Sequence, residues 1–340
     1  MEYIFRKDNE KLFYEHWNKF TAGAQRHSYF NIESWLLISR FKNLFVDDLS
    51  FVALENGEVV SCAFLPIENH QYKKVAIDGD YVFAPIAKRG YEKETYAKID
   101  ELAREHNILA LKFLVDPPLS RGYNHLQQYD FLDTSVLDYR IDLVDDFLNE
   151  CRKGHRSDIK TILNDKKIVM RCYDSKNPSL EAHEGYRYIH KKQAGKETRP
   201  KETFDLQYER LKNGGSVLAE LEYEGKKIAY AYFDYEGKWA YYSSSAGDPD
   251  FKEIRTSHAL VFAAAEFLKN KGVKHIIVEQ PAGMSAQYDS YPSEKELNIA
   301  RFKRGFSGDF VMDFRGIKYY SKEAFQKDAQ LFTEQYWGNK

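Results

Sequence analysis

Apolar and polar positions alternate in the same way at two places along the chain. In "FVALENGEVVSCAFLPI", from Phe51, two alternating runs flank Asn56-Gly57, residues that accept the positive φ of a tight hairpin turn. In "SVLAELEYEGKKIAYAYFDY", from Ser216, the plan recurs with Glu224-Gly225 at the turn. A third run follows each hairpin, "KKVAIDGDYVFAP" in the first half and "KWAYYSSSAGDP" in the second. The period then lengthens from two residues to that of a helix. "KETYAKIDELAREHN" carries Tyr96, Ile99, Leu102 and Ala103 at helical spacing and stops at Asn107. "TSHALVFAAAEFLKNKG" takes Thr256 or Ser257 as N-cap and Gly272 as stop. Its residues are apolar almost all round, which predicts burial on most faces. A short apolar strand ending in proline closes each series, at Pro117 and at Pro281.

The order β-β-β-α-β, read twice at a nearly constant offset, predicts two copies of one α/β unit. The expected domains are 1–145 and 146–340, each a mixed, largely antiparallel sheet flanked by helices. Their boundary is placed near "YRIDLVDD", after which helical sequence resumes at Phe147. At 340 residues the chain is long for one core, which agrees with two domains.

Composition narrows the function. The chain is 43% hydrophobic and 30% charged, with a net charge of −2, so a uniformly basic nucleic-acid surface is excluded and no DNA partner is expected. Cys62, Cys151 and Cys172 are odd in number and lack CxxC spacing, which reads as reduced intracellular thiols. The N-terminus is charged from the start and no run of 18 apolar residues occurs, so a soluble, cytoplasmic protein is expected. There is no GxSxG, Walker A or GxGxxG loop, and no paired His/Cys spacing for a metal. A transferase with no permanently bound cofactor and no metal fits what is left.

Hairpin, third strand, helix and closing strand form the central order of the GNAT acyltransferase unit. Two in tandem resemble the FemABX family of peptidyl and aminoacyl transferases and the related double-GNAT acyltransferases. The resemblance is carried by "YVFAPIAKRGYEKETYAKIDELAREHNILALKFLVDP" in the first half and by "EIRTSHALVFAAAEFLKNKGVKHIIVEQP" with "IARFKRGFSGDF" in the second. The last segment is similar to the family's Phe-Lys-x-Gly-Phe-Gly, with Ser307 at the third glycine. It implies two tandem GNAT-like domains, the second carrying the Phe-Lys segment. It also implies an acyltransferase that forms an amide on an amine of a cell-wall (peptidoglycan) or surface-glycan precursor, with aminoacyl-tRNA as donor. A nucleotide-linked amino sugar is one such acceptor, and membrane contact would come only through a lipid-linked one. Two alternatives stay open: an acyl-CoA-dependent N-acyltransferase acting on an amino sugar, and a non-catalytic double-GNAT binding module. The chain lacks the glycine-rich loop that most acetyl-CoA enzymes place before the central helix, which favours the tRNA donor or a CoA enzyme that has drifted from that pattern.

Acyl transfer needs a held donor, a deprotonated amine and stabilisation of the tetrahedral oxyanion. On the residues alone "RFKR" reads as a solvated basic turn. The resemblance makes Lys303 the first catalytic candidate, as a cation for a phosphate or the oxyanion, with Phe302 giving a ring face to a base or sugar. The strand end "AYYSSSAG" makes Ser243 and Ser244 candidates through their amides, and Glu279, Tyr242 or Asp309 could serve as base. Tyr242 and Arg304 also count as substrate-binding candidates. Basic clusters add Arg156 in "CRKGHRSDIK" and Lys196 and Arg199 in "YRYIHKKQAGKETRPK", while Arg40, shortly after Trp35, stands near the family's first-domain acceptor contact.

Overall fold

The computed structural model describes residues 1–278 and 291–338. These fall into two compact units, residues 1–136, 291–292 and 312–338 in the first, and 137–278 and 293–311 in the second. The units are therefore not the consecutive halves 1–145 and 146–340 expected from the repeat. The strand Arg315–Tyr319 and the helix Lys322–Gly338, from the end of the chain, belong with the first unit. Most of the strand Val136–Asp142, by contrast, belongs to the second.

Both hairpins form as read. Asn56 and Gly57 have φ of 51° and 80°, and Glu224 and Gly225 have 49° and 80°, the left-handed pair that matches strand twist in a two-residue turn. In the first unit the hairpin Phe51–Glu55/Glu58–Ala63 joins a four-stranded sheet with Glu2–Phe5 and Ile86–Ala87. The chain then leaves that sheet. Pro66 opens the strand Pro66–His70, which lies in a separate seven-stranded sheet; a proline brings no ladder N–H and suits a strand start. The third run of the first half is also two strands, Tyr72–Val75 and Val82–Phe83, because Asp78 and Gly79 both take positive φ between them. Both pieces run parallel to Ala110–Leu114.

In the second unit the pattern stays in one seven-stranded sheet. Its order is Ile168–Tyr173, Ser216–Tyr223, Lys226–Glu236, Trp239–Gly247, His275–Ile277, Val136–Asp142, Gly308–Asp313. Trp239–Gly247 and His275–Ile277 pair in parallel, and the hairpin strands pair antiparallel. Both faces are covered, so alternate residues of Ser216–Tyr223 serve two cores. Val217, Ala219 and Leu221 pack with Ala264 and Leu268 of the helix Thr256–Asn270. Leu218 packs with Tyr186 of the helix Leu180–Ala194 and with Phe204 and Leu211 of the helix Lys201–Lys212. The helix Thr256–Asn270 buries Ala259, Leu260, Val261, Ala264, Ala265 and Leu268, in line with its nearly all-round apolar sequence. It starts one or two residues earlier than expected, since Arg255 is its N-cap in place of Thr256 or Ser257.

One close approach locks the second face. A Cβ on Gly185 would stand 2.2 Å from the Tyr230 hydroxyl oxygen, inside the core. Gly185→Ala should therefore cost about 1–3 kcal/mol in chemical denaturation, as overpacking does. Tyr230→Phe removes the colliding atom and should recover part of that loss in the double variant.

Candidate functional site

The second unit opens where two parallel strands part. Trp239, Ala240 and Tyr241 pair with His275, Ile276 and Ile277, and among the described residues the pairing goes no further. On the other edge the register shifts: Phe233 faces Tyr242 and Tyr232 faces Ser244, so Ser243 is the extra residue of a β-bulge. A cavity of about 370 Å³ lies at this opening, lined by Tyr242, Ser243, Ser244, Ser245, Val278 and Lys303 among others. A larger one of about 930 Å³ lies at the N-terminus of the helix Thr256–Asn270, lined by Lys252, Arg255, Ser257, His258 and Asn298. Ser257, Ile299 and Phe302 line both, so the two are neighbours.

Lys303 ends the helix Glu294–Lys303, whose start is fixed by a capping box between Ser293 and Glu296. Its side chain is buried; Nζ donates to the Val278 carbonyl and lies 5.4 Å from the Tyr242 ring centre. Burial pushes the ammonium down to about 8, with Asp138 pulling the other way. Lys303 is thus a cation at neutral pH that loses its charge in a mildly alkaline medium.

A ring cluster holds this turn in place. The buried His155, from the helix Lys153–Asn164, donates from Nε2 to the Phe302 carbonyl at 2.7 Å. That bond puts the proton on Nε2 and leaves Nδ1 to accept from Arg152 at 3.3 Å. Burial first, and Arg152 with it, lowers the His155 pKa, so the ring stays neutral. A Cβ on Gly305 would meet His155 Nε2 at 2.0 Å, which is why the segment carries glycine there. His258 stands edge-on to Phe302 at 4.9 Å and to His155 at 4.4 Å; burial and His155 hold it down at about 4. Phe302 therefore lines both cavities with its ring fixed by two imidazoles and by Phe306 at 5.3 Å.

The remaining candidates separate. Ser243 spends its hydroxyl on Asp234 at 2.5 Å, which fastens the bulge, and Asp234 also accepts from Ser216 at 2.6 Å. Ser244 lines the smaller cavity and accepts from Tyr186, which in turn accepts from Arg199. Arg199 thus reaches the site through another side chain. Tyr242 stacks on Phe233 at 4.8 Å, and burial raises its phenol against a hydrogen bond with Ser245, so it is no base at neutral pH. Arg156 donates to the Asn149 carbonyl at 2.7 Å, and Lys196 is exposed just beyond Gly195, which ends its helix; neither lines the two cavities. Arg304 lines neither and acts on the Tyr139 phenol, and Asp309 is exposed and accepts from the Phe310 amide. Arg40 belongs to the first unit, where its guanidinium lies 4.7 Å from the Phe45 ring centre. Glu279 lies outside the described residues. Sequence reasoning missed His155, His258, Tyr186 and Gln207; no spacing marks them, because four separate helices supply them.

Lys303 makes stability depend on pH in a calculable direction. Its folded pKa of about 8 lies below the usual 10.5, so between those values the unfolded chain holds a proton that the folded one has lost. Stability relative to Lys303→Met should therefore rise with pH across that window, by at most about 3 kcal/mol. Urea unfolding of both chains from pH 7 to 10.5 measures it, and parallel curves would show that Lys303 titrates normally.

No protein-family model matches the chain, and no curated protein matches it in sequence. Among the described residues no helix is long and apolar enough to cross a membrane. Solved structures do match. The crystal structure of FemX superposes with a TM-score of 0.61 at 12% identity, over 96% of this chain and 99% of FemX. The C-terminal domain (DUF2156) of a putative lysylphosphatidylglycerol synthetase from Agrobacterium fabrum gives 0.57 at 13% identity, over 84% and 89%. L-PGS from Bacillus licheniformis gives the same TM-score, identity and coverage. At such identities the likeness carries the fold, and the chain has the tandem GNAT-like fold that FemX has.

Proposed function

We propose that the chain is an acyltransferase that forms an amide, moving an aminoacyl group from an ester donor to an amine. The observation that carries this reading is the Lys303 ammonium, buried at the opening between parallel strands and facing the cavity beside Tyr242. An amine attacking an ester carbonyl builds negative charge on the carbonyl oxygen. A cation fixed in a low-dielectric cleft stabilises that charge without reorganising. The nitrogen–carbon bond forms, the carbon–oxygen bond to the carrier breaks, and the proton lost by nitrogen leaves with the carrier oxygen. Aminoacyl-tRNA is the donor proposed first, and an amine on a nucleotide-linked cell-wall precursor the acceptor. The likeness to FemX and to proteins named for lysylphosphatidylglycerol synthesis supports an aminoacyl donor. The protein would work in the cytoplasm, where both substrates are found.

A second reading has its own observation. The cavity of about 930 Å³ at the N-terminus of the helix Thr256–Asn270 carries Lys252 and Arg255. Helix N-termini favour anions, so this cavity would also suit the phosphates of an acyl-CoA. In that case the bond broken is carbon–sulfur and the acceptor an amino sugar.

The test is a panel of amine-bearing nucleotide sugars with radiolabelled aminoacyl-tRNA or acyl-CoA as donor. RNase-sensitive transfer supports the first reading, and RNase-resistant transfer from the thioester supports the second. Lys303→Ala should lower kcat by roughly 10²–10³. Its rate should lose the decline that the wild-type chain shows as pH rises through about 8, where the ammonium discharges. Transfer from neither donor would leave a non-catalytic binding module.

A further inference from the structure

Lys303 sits in a turn whose backbone is tied on both sides to the start of one helix. The Phe302 carbonyl accepts from the Gly305 amide at 2.9 Å and from His155 Nε2 at 2.7 Å, which fills both of its lone pairs. The Gly305 carbonyl accepts from the Arg152 amide at 2.8 Å, and Arg152 is the N-cap of the helix Lys153–Asn164 that carries His155. Residues 302 and 305 are thus clamped to a single helical turn, with Lys303 between them. The imidazole lies against Gly305 so closely that a Cβ there would overlap it. From this turn the Lys303 side chain reaches the Val278 carbonyl, just past the strand His275–Ile277, and lines the smaller cavity. Asp138, from the strand Val136–Asp142, and the Tyr242 ring face its ammonium. A turn that slipped outward would withdraw the ammonium from that carbonyl and return it to water.

We propose that His155 is a positioning residue for acyl transfer: through the Phe302 carbonyl it fixes how deeply Lys303 enters the cleft, and so where its charge meets the acyl oxygen. This rests on the acyl-transfer reading. His155 lines neither cavity and touches no substrate; it acts only through the turn. The role needs a neutral ring with its proton on Nε2, and the surroundings supply that state. Arg152 donates to Nδ1 at 3.3 Å, and the neutral His258 stands edge-on at 4.4 Å with the Asp158 carboxylate 3.6 Å beyond it. Preorganisation of this kind costs nothing at the moment of reaction, and a displacement of about 1 Å at a reacting group can cost 10²-fold in rate.

The experiment uses the full chain with the donor and amine found in the panel above. His155→Ala should lower kcat by about 10–100-fold with KM little changed. The alkaline decline of the rate, near pH 8 in the wild type, should move up towards the ordinary lysine value of 10.5 as Lys303 loosens into water. His155→Gln, which still offers an N–H donor, should restore most of the rate and return the decline towards pH 8. His155→Leu, bulky but without a donor, should behave like the alanine variant and carries the test if that variant folds poorly. Gly305→Ala should lower kcat in the wild type and cost little further once residue 155 is alanine. Urea unfolding reads the same effect without substrate: the rise in stability between pH 8 and 10.5 that depends on Lys303 should shrink in His155→Leu. Wild-type kcat in His155→Ala or His155→Leu overturns the role while leaving acyl transfer standing. A lowered kcat whose alkaline decline stays near pH 8, or an unchanged urea profile, makes His155 a packing residue only and overturns it too. A wild-type chain that transfers from neither donor sinks the acyl-transfer reading and this role together.

Discussion

The parting of Trp239–Gly247 from His275–Ile277 is the constraint on which the second unit turns. Two parallel strands that separate inside a core leave backbone groups without ladder partners, and buried carbonyls need donors. Lys303 gives one to Val278, and the bulge at Ser243 is fastened by Asp234. The groups that make the opening tolerable are thus the ones that face it. An ammonium held for a backbone carbonyl is also the charge at which an acyl oxygen would develop its own. Its depressed pKa follows from the same burial.

The turn that carries Lys303 is held by shape more than by charge. His155 fills the space left by Gly305 and binds the Phe302 carbonyl, and His258 and Phe306 stand edge-on to Phe302. Rings that are neutral and interlocked resist rotation without competing for the anion the site would bind. On the opposite face Tyr186 and Gln207 perform the corresponding service for Ser244.

Much of the fold was legible because its turns leave few choices. Asn56-Gly57 and Glu224-Gly225 take left-handed pairs that few residues accept, and the switch from alternation to helical period marked both central helices. The split of the first unit into two sheets was not, since Pro66 lies inside an apolar run that reads as continuous. For the site, the Phe-Lys segment drew attention to Lys303 through resemblance, and the resemblance could not show what the lysine touches. Charge pattern drew attention to Arg156, which in the structure donates to the Asn149 carbonyl. Local sequence cannot distinguish a cation that satisfies backbone from one that meets a ligand. The hydrogen bonds around Ser244 were out of reach altogether, because their members come from two helices, a loop and a strand.

The strand Arg315–Tyr319 lies between Leu132–Asp133 and Ala110–Leu114, inside the first unit's larger sheet. During synthesis that interior place stays vacant until residues 315–319 have left the ribosome. The second unit is made of residues 137–278 and 293–311 and has all its strands sooner, apart from the last residues of Gly308–Asp313. The portion translated first is therefore completed last. Until then the nascent chain carries an unfilled gap in its sheet, where chaperones or premature termination would make themselves felt.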